Sequence, residues 1–167
     1  EKALKIFETI NDRGMSLSDS DIFKAKLYSM ALNELNQDDF IEKWKELDSE
    51  CSNIDYKIDD IFKIYIHIIR GQKGIKSSEI GLREFYTQSE HSPFETKDYN
   101  EIVKDLFEII YVVKFYKDII QNTHINSNLS KWFQLVDRYT NQYPLMALFA
   151  FMYKNSTNNH NALIDFS

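Results

Sequence analysis

Glycine and proline are scarce in this sequence, with 4 Gly and 2 Pro among 167 residues. Tight turns between strands use these residues repeatedly, whereas long helices avoid them. The scarcity disfavours a protein built from hairpins. We therefore expect an all-α fold, an irregular multi-helix bundle that is one piece of a larger multidomain protein.

Cysteine and long apolar runs are also nearly absent. The single Cys51 excludes an internal disulfide and is typical of a reducing compartment, so we expect a cytoplasmic location. Lys63 and His67 interrupt the run 58–69, and the run 143–153 is much shorter than the ~20 residues of a membrane span. The sequence predicts no transmembrane segment and no membrane partner.

The net charge of -6 argues against a broad, non-specific nucleic-acid surface, although a local basic site remains compatible with it. The length suits one domain, and no linker or repeat divides it. We expect a single helical domain over 1–167. The missing initiator Met and the apolar end at Phe166 suggest that both termini lie within a longer protein.

No complete catalytic motif or phosphate-binding glycine loop occurs, so we expect no catalytic residue and no metal site in this chain. Asp59 with Asp60, and Glu42 with Glu46, could line a metal site in some helical bundles, but no Glu-x-x-His pattern occurs, and adjacent acids near a helix start are commonly caps. No histidine has a second histidine or a cysteine at metal-ligand spacing; the four are His67, His91, His124 and His160.

Helical periodicity covers most of the chain. Ser18 is a good N-cap, with Asp19 and Asp21 in the first turn of its helix. We expect this helix to bury Ile22, Ala25, Tyr28, Ala31, Leu32 and Leu35. The other predicted helices are 1–10, 38–53, 56–70, a short one from Ser77 or Ser78, 98–122, 129–139 and one opening at Pro144. We expect a turn at 71–74, a loop at 89–97 and a polar break at 155–161.

The corner between the first two helices has two interpretations. In the structural one, Gly14 ends a helix, Leu17 is an apolar anchor and Ser18 caps the next helix. In the functional one, Asn11 and Arg13 project beside unpaired N–H groups of the helix start. Such a corner holds a phosphate or a metal-bound phosphate.

The string from Ile6 to Ala25 resembles a hallmark of the GmrSD-type restriction endonuclease family, long catalogued as a domain of unknown function. The string covers about the first sixth of the chain, and the segment 143–148 is similar to a late helix of the family. The positions that match the hallmark are Phe7, Asn11, Gly14, Leu17, Ser18, Asp21 and Lys24.

The resemblance implies a bacterial defence protein that restricts foreign or modified DNA, such as phage DNA. Its ParB/sulfiredoxin-like nucleotide domain would end at 1–25, and 26–167 would be its helical middle region, followed often by an HNH nuclease. The implied cofactor of the longer protein is a nucleoside triphosphate with Mg. Asn11, with Glu8 and Arg13, would belong to the nucleotide site. The partners would be the N- and C-terminal domains of the same protein and DNA, and the piece alone would be inactive.

An alternative is a helical protein–protein interaction module with no nucleotide or nuclease link. In that interpretation, aromatic side chains are exposed to a partner. The candidates are Trp132, Phe133 and Tyr139, or Phe149 and Tyr153.

Overall fold

The computed structural model describes residues 18–32, 37–77, 81–121 and 127–158. All regular secondary structure in these ranges is helical, which confirms the all-α prediction. The helices are α1 (Asp19–Ala31), α2 (Gln37–Asn53), α3 (Ile58–Lys73), α4 (Leu82–Gln88), α5 (Pro93–Thr96), α6 (Tyr99–Gln121), α7 (Ser127–Asp137) and α8 (Tyr143–Asn158).

Helices α3 and α6 form the centre of the bundle. Helix α8 packs against both, α7 packs against α6, and α1 contacts α2, α3, α4 and α6. Helix α3 is buried on most of its surface, because Ile64 and Ile66, off its main apolar stripe, are also covered. None of the described helices is long and apolar enough to cross a membrane.

Several predicted boundaries and burials differ from the structure. Helix α3 continues through the predicted turn and ends at Gly74, which adopts the left-handed conformation (φ 65). A short helix at 93–96 interrupts the predicted loop, because Ser92 caps it and Pro93 suits its first turn. Leu32, expected inside, is 52% exposed because α1 ends just before it.

In α1 the buried side chains are Phe23, Ala25, Leu27 and Ala31, so the prediction missed Phe23 and Leu27. The predicted helix 1–10 and the predicted burial of Leu35 lie outside the described residues. The polar break begins later than expected, because α8 runs to Asn158.

Substitution of two glycines near the end of α3 is expected to change the free energy of unfolding in opposite directions. Gly74→Ala should lower the free energy of unfolding by about 1 kcal/mol, because a side chain is strained in the left-handed region. Gly71→Ala should raise it by about 0.5–1 kcal/mol, because alanine favours helix and its Cβ would meet only the Ala150 Cβ at 3.9 Å. Urea titration of the two variants beside the wild type measures both changes. Equal effects of the two substitutions would contradict the assigned helix end.

Candidate functional site: the start of helix α1

Ser18 and Asp21 cap each other at the start of α1. The Ser18 Oγ accepts from the Asp21 N–H at 3.2 Å, and Asp21 Oδ2 accepts from the Ser18 N–H at 3.3 Å. The Ser18 hydroxyl also donates to Asp21 Oδ2 at 2.6 Å. This capping box fixes the direction in which the chain enters α1. The predicted N-cap is therefore confirmed.

Two residues distant in sequence join this helix start. The Nε and Nη2 atoms of Arg83, beside the start of α4, each lie 2.8 Å from Asp19 Oδ1. Asp59, in the first turn of α3, lies close enough to Ser20 that the hydroxyl and the backbone N–H of Ser20 act to lower the pKa of its carboxyl. Three helix starts therefore meet at this point.

Carboxylates dominate the electrostatics of the helix start. Burial raises the pKa of Asp59 above its ordinary value, and the charges of Asp19 and Asp60 raise it further, while the hydrogen bonds from Ser20 act to lower it. A raised pKa means that the negative charge of Asp59 is disfavoured in this environment. An additional anion at the same point would meet the same repulsion.

The expectation of unpaired N–H groups at this helix start is therefore wrong for the N–H of Asp21, which donates to the Ser18 hydroxyl. A phosphate held near this corner would need its positive partners from elsewhere, such as Arg13 or a metal ion.

Aromatic packing holds α1 in place. Phe23 is fully buried, with its ring centroid 4.6 Å from that of Phe62 and 4.7 Å from that of Tyr86. On the other side of the helix, Lys24 Nζ lies 5.3 Å from the centroid of the Trp44 ring. Lys24, a residue of the family-like string, therefore packs against α2.

The structure places only part of the predicted site. Ser18, Asp21 and Lys24 lie on the first two turns of α1, and the first two contact each other. The remaining predicted residues lie outside the described residues: Phe7, Glu8, Asn11, Arg13, Gly14 and Leu17. Sequence reasoning missed Arg83 and Asp59, since no local pattern links them to Ser18.

Neither a cluster of metal-ligating side chains nor an exposed thiol occurs among the described residues. No group of three or more His, Cys, Asp or Glu side chains there is placed to hold a metal ion. Cys51 is fully buried, and burial raises the pKa of its thiol from 9.0 to about 12. Such a thiol is unreactive at neutral pH because the thiolate is the reactive form.

A buried polar cluster surrounds Asp105 on α6. Its Oδ2 accepts from the hydroxyl of Tyr65 on α3 and from Lys97, and its Oδ1 accepts from the hydroxyl of Tyr153 on α8 at 2.7 Å. Burial, together with the neighbouring Asp105, raises the pKa of both tyrosines above the ordinary value of 10.0. Both phenols therefore stay protonated as donors. The cluster ties three helices together through the side chain of Asp105.

Exposed aromatic side chains lie along α7 and just beyond it. Trp132 is 66% exposed and Tyr139 is 59% exposed, with Leu135 exposed between them. The spacing of three residues places Trp132 and Leu135 on one side of α7, and Tyr139 lies just beyond the end of the helix. Phe133, Phe149 and Tyr153 are buried, so their predicted exposure is wrong.

Comparisons with known proteins gave no match to any family model, curated protein or solved structure.

Proposed function

We propose that this chain is the helical middle region of a longer defence protein of the GmrSD type, in which the corner before α1 completes a nucleotide site. The observation that carries the proposal is the string from Phe7 to Lys24. Asn11 supplies a donor and an acceptor, and Arg13 supplies a rigid charged fork suited to phosphate. The rest of the site comes from a domain preceding this chain.

The described end of the string suits such a role. The capping box at Ser18, the Asp19–Arg83 ion pair and the burial of Phe23 hold the first turns of α1 against the bundle. A chain that leaves a fixed helix start has fewer conformations available to it than one leaving a mobile end. Asn11 and Arg13 lie seven and five residues before Ser18 in the sequence, so they are tethered to this fixed helix start.

The acidic residues at the start of α1 also determine in which form the nucleotide would bind. Carboxylates at Asp19, Asp21 and Asp59 repel a bare triphosphate, so we propose that the nucleotide is bound together with Mg. Arg13 neutralises the remaining charge. The bundle, through α1 and α3, couples this site to a nuclease that follows the chain and acts on DNA.

Nucleotide binding to the longer protein tests the proposal. Asn11→Ala and Arg13→Ala should each weaken binding of fluorescent ATP and GTP analogues about tenfold or more, as expected for lost hydrogen bonds to charged groups. Glu8→Gln should have a smaller effect. Matched controls are Asn53→Ala and Arg138→Ala, which change the same residue types at exposed positions of the bundle.

Unchanged binding in both Asn11→Ala and Arg13→Ala would refute the assignment of the site. Ser18→Ala should cost about 1 kcal/mol of stability and should weaken nucleotide binding less than Asn11→Ala or Arg13→Ala, because it removes a helix cap and no nucleotide contact.

The exposed side chains Trp132, Leu135 and Tyr139 favour a second candidate, a protein–protein interaction module. This candidate needs no nucleotide. A longer protein that binds neither ATP nor GTP, and whose partner binding is lost in Trp132→Ser, would support it over the first.

A further inference from the structure

Positive charge is segregated in two parts of the chain. Residues 61–78 contain Lys63, Arg70, Lys73 and Lys76 and no acidic residue, and residues 138–164 contain Arg138 and Lys154 and no acidic residue. Because the whole chain carries -6 and these two runs carry +6, the remaining residues carry -12. A uniform distribution of charge would give both runs a negative sum.

The tertiary structure brings the two basic runs together. The first run contains most of α3, the second contains α8, and these helices pack directly on each other. The rings of His67 and Tyr143 lie 6.2 Å apart, edge to face. Gly71 lies so close to Ala150 that an added Cβ would be 3.9 Å from the alanine Cβ. The solvent sides of the two helices therefore form one surface.

On this surface, α3 carries basic side chains, and α8 carries two exposed aromatic rings and a lysine. On α3 the spacing of four and three residues aligns Lys63, His67 and Arg70. On α8 the same rule aligns Tyr143 and Phe151, 57% and 53% exposed, with Lys154. These six residues are called the basic aromatic face. Its length along α8, from 143 to 154, is about 16 Å at the rise of an α-helix.

We propose that the basic aromatic face binds single-stranded nucleic acid. Lys63 and Lys154 would pair with phosphates beside Arg70, whose Nη2 donates to the Ser77 carbonyl, and the exposed rings of Tyr143 and Phe151 would stack on bases. Cationic grooves with interleaved aromatic rings are the usual composition of such sites, because stacking tolerates any base and phosphate pairing supplies affinity. The inference does not depend on the nucleotide corner, since α8 lies against α3, α6 and α7 and the corner lies at the start of α1.

Other anionic partners fit the face less well. A membrane surface requires a helix that buries a wide apolar side among lipids. The apolar side of α8 already faces the core, where Phe149, Met152 and Tyr153 are buried. The solvent-exposed side of α8 is a narrow stripe that carries separate aromatic rings. This geometry suits stacking on bases better than insertion among acyl chains.

Fluorescence anisotropy with labelled oligothymidylate and oligouridylate tests the proposal, between about 50 and 200 mM salt. The wild-type chain should bind at least one of the two, with an affinity that falls as salt rises. Lys63→Gln combined with Lys154→Gln should remove two phosphate contacts. The slope of log K against log salt should then fall by about 1.4, which is roughly 25-fold in affinity at 0.1 M salt.

Substitution of aromatic residues separates the contribution of base stacking to binding from that of charge. Phe151→Ala should weaken binding about 5- to 100-fold without changing the salt slope. Tyr111→Ala, an exposed tyrosine of α6 outside the face, is its control. Lys45→Gln combined with Lys114→Gln changes net charge by the same amount on exposed positions of α2 and α6, and it should have little effect.

Three results would overturn the proposal. The first is no binding of either oligonucleotide by the wild-type chain at the lowest salt. The second is equal loss of affinity in the two double lysine variants, which would indicate a response to net charge alone. The third is binding to vesicles of equal parts phosphatidylserine and phosphatidylcholine with none to the oligonucleotides. Preference between the two oligonucleotides would identify DNA or RNA as the ligand.

Discussion

Asp105→Ala is expected to lower the free energy of unfolding by about 3 kcal/mol, the cost of removing one partner from a buried charged cluster. The substitution leaves the hydroxyls of Tyr65 and Tyr153 and the ammonium of Lys97 without their common acceptor. For a chain of this size the melting temperature should fall by about 6–12 °C. Differential scanning calorimetry of the purified chain measures it.

Conservative variants of the residues that contact Asp105 measure how much each contact contributes to this loss of stability. Tyr65→Phe and Tyr153→Phe each remove one donor and should each cost about 1 kcal/mol. Asp118→Ala, at an exposed position of the same helix, should stay within about 0.5 kcal/mol of the wild type. If Asp105→Ala were no worse than Asp118→Ala, the cluster would not hold the three helices together.

Phe23→Ala is expected to cost about 3–5 kcal/mol, the usual range for removing a buried aromatic ring. The ring is completely inaccessible and also lies 5.9 Å from that of Phe94, in addition to Phe62 and Tyr86. Its loss would leave a cavity where α1, α3, α4 and α5 meet, and it would release the start of α1. Urea denaturation followed by circular dichroism measures the change.

Phe151→Ala is the matched control, because it removes the same side chain from a position that is mostly exposed. Its cost should be below about 0.5 kcal/mol. A similar loss of stability in both variants would show that the ring of Phe23 is not a central element of the core. A loss confined to Phe23→Ala would confirm that α1 is anchored by this residue.

The fold class was predictable because its causes are local. Few glycines, apolar residues at helical spacing and caps such as Ser18 predict helices without knowledge of the partners of each helix. The errors occurred where tertiary contacts outweighed local preference. Gly71 looks like a turn residue, yet it stays helical where α3 packs against α8 beside Ala150, and the helix ends at Gly74.

The candidate site was predictable only in part, because some of its contacts join residues that are far apart in the chain. Ser18 and Asp21 are three residues apart, so their mutual capping follows from sequence. Arg83 is 64 positions from Asp19, and their ion pair exists because α1 and α4 pack in the bundle. The charged environment of the helix start therefore needed the structure. The roles proposed for Asn11 and Arg13 still rest on the family-like string.

The sequence by itself determined that this protein is helical and where α1 begins. Those properties depend on side chains within a few residues of one another. Only the tertiary structure decided that Asp105 joins three helices, that carboxylates surround the start of α1, and that the helices of two acid-free runs pack on each other. Each of these depends on residues far apart in the chain, whose proximity follows from packing the apolar faces of separate helices.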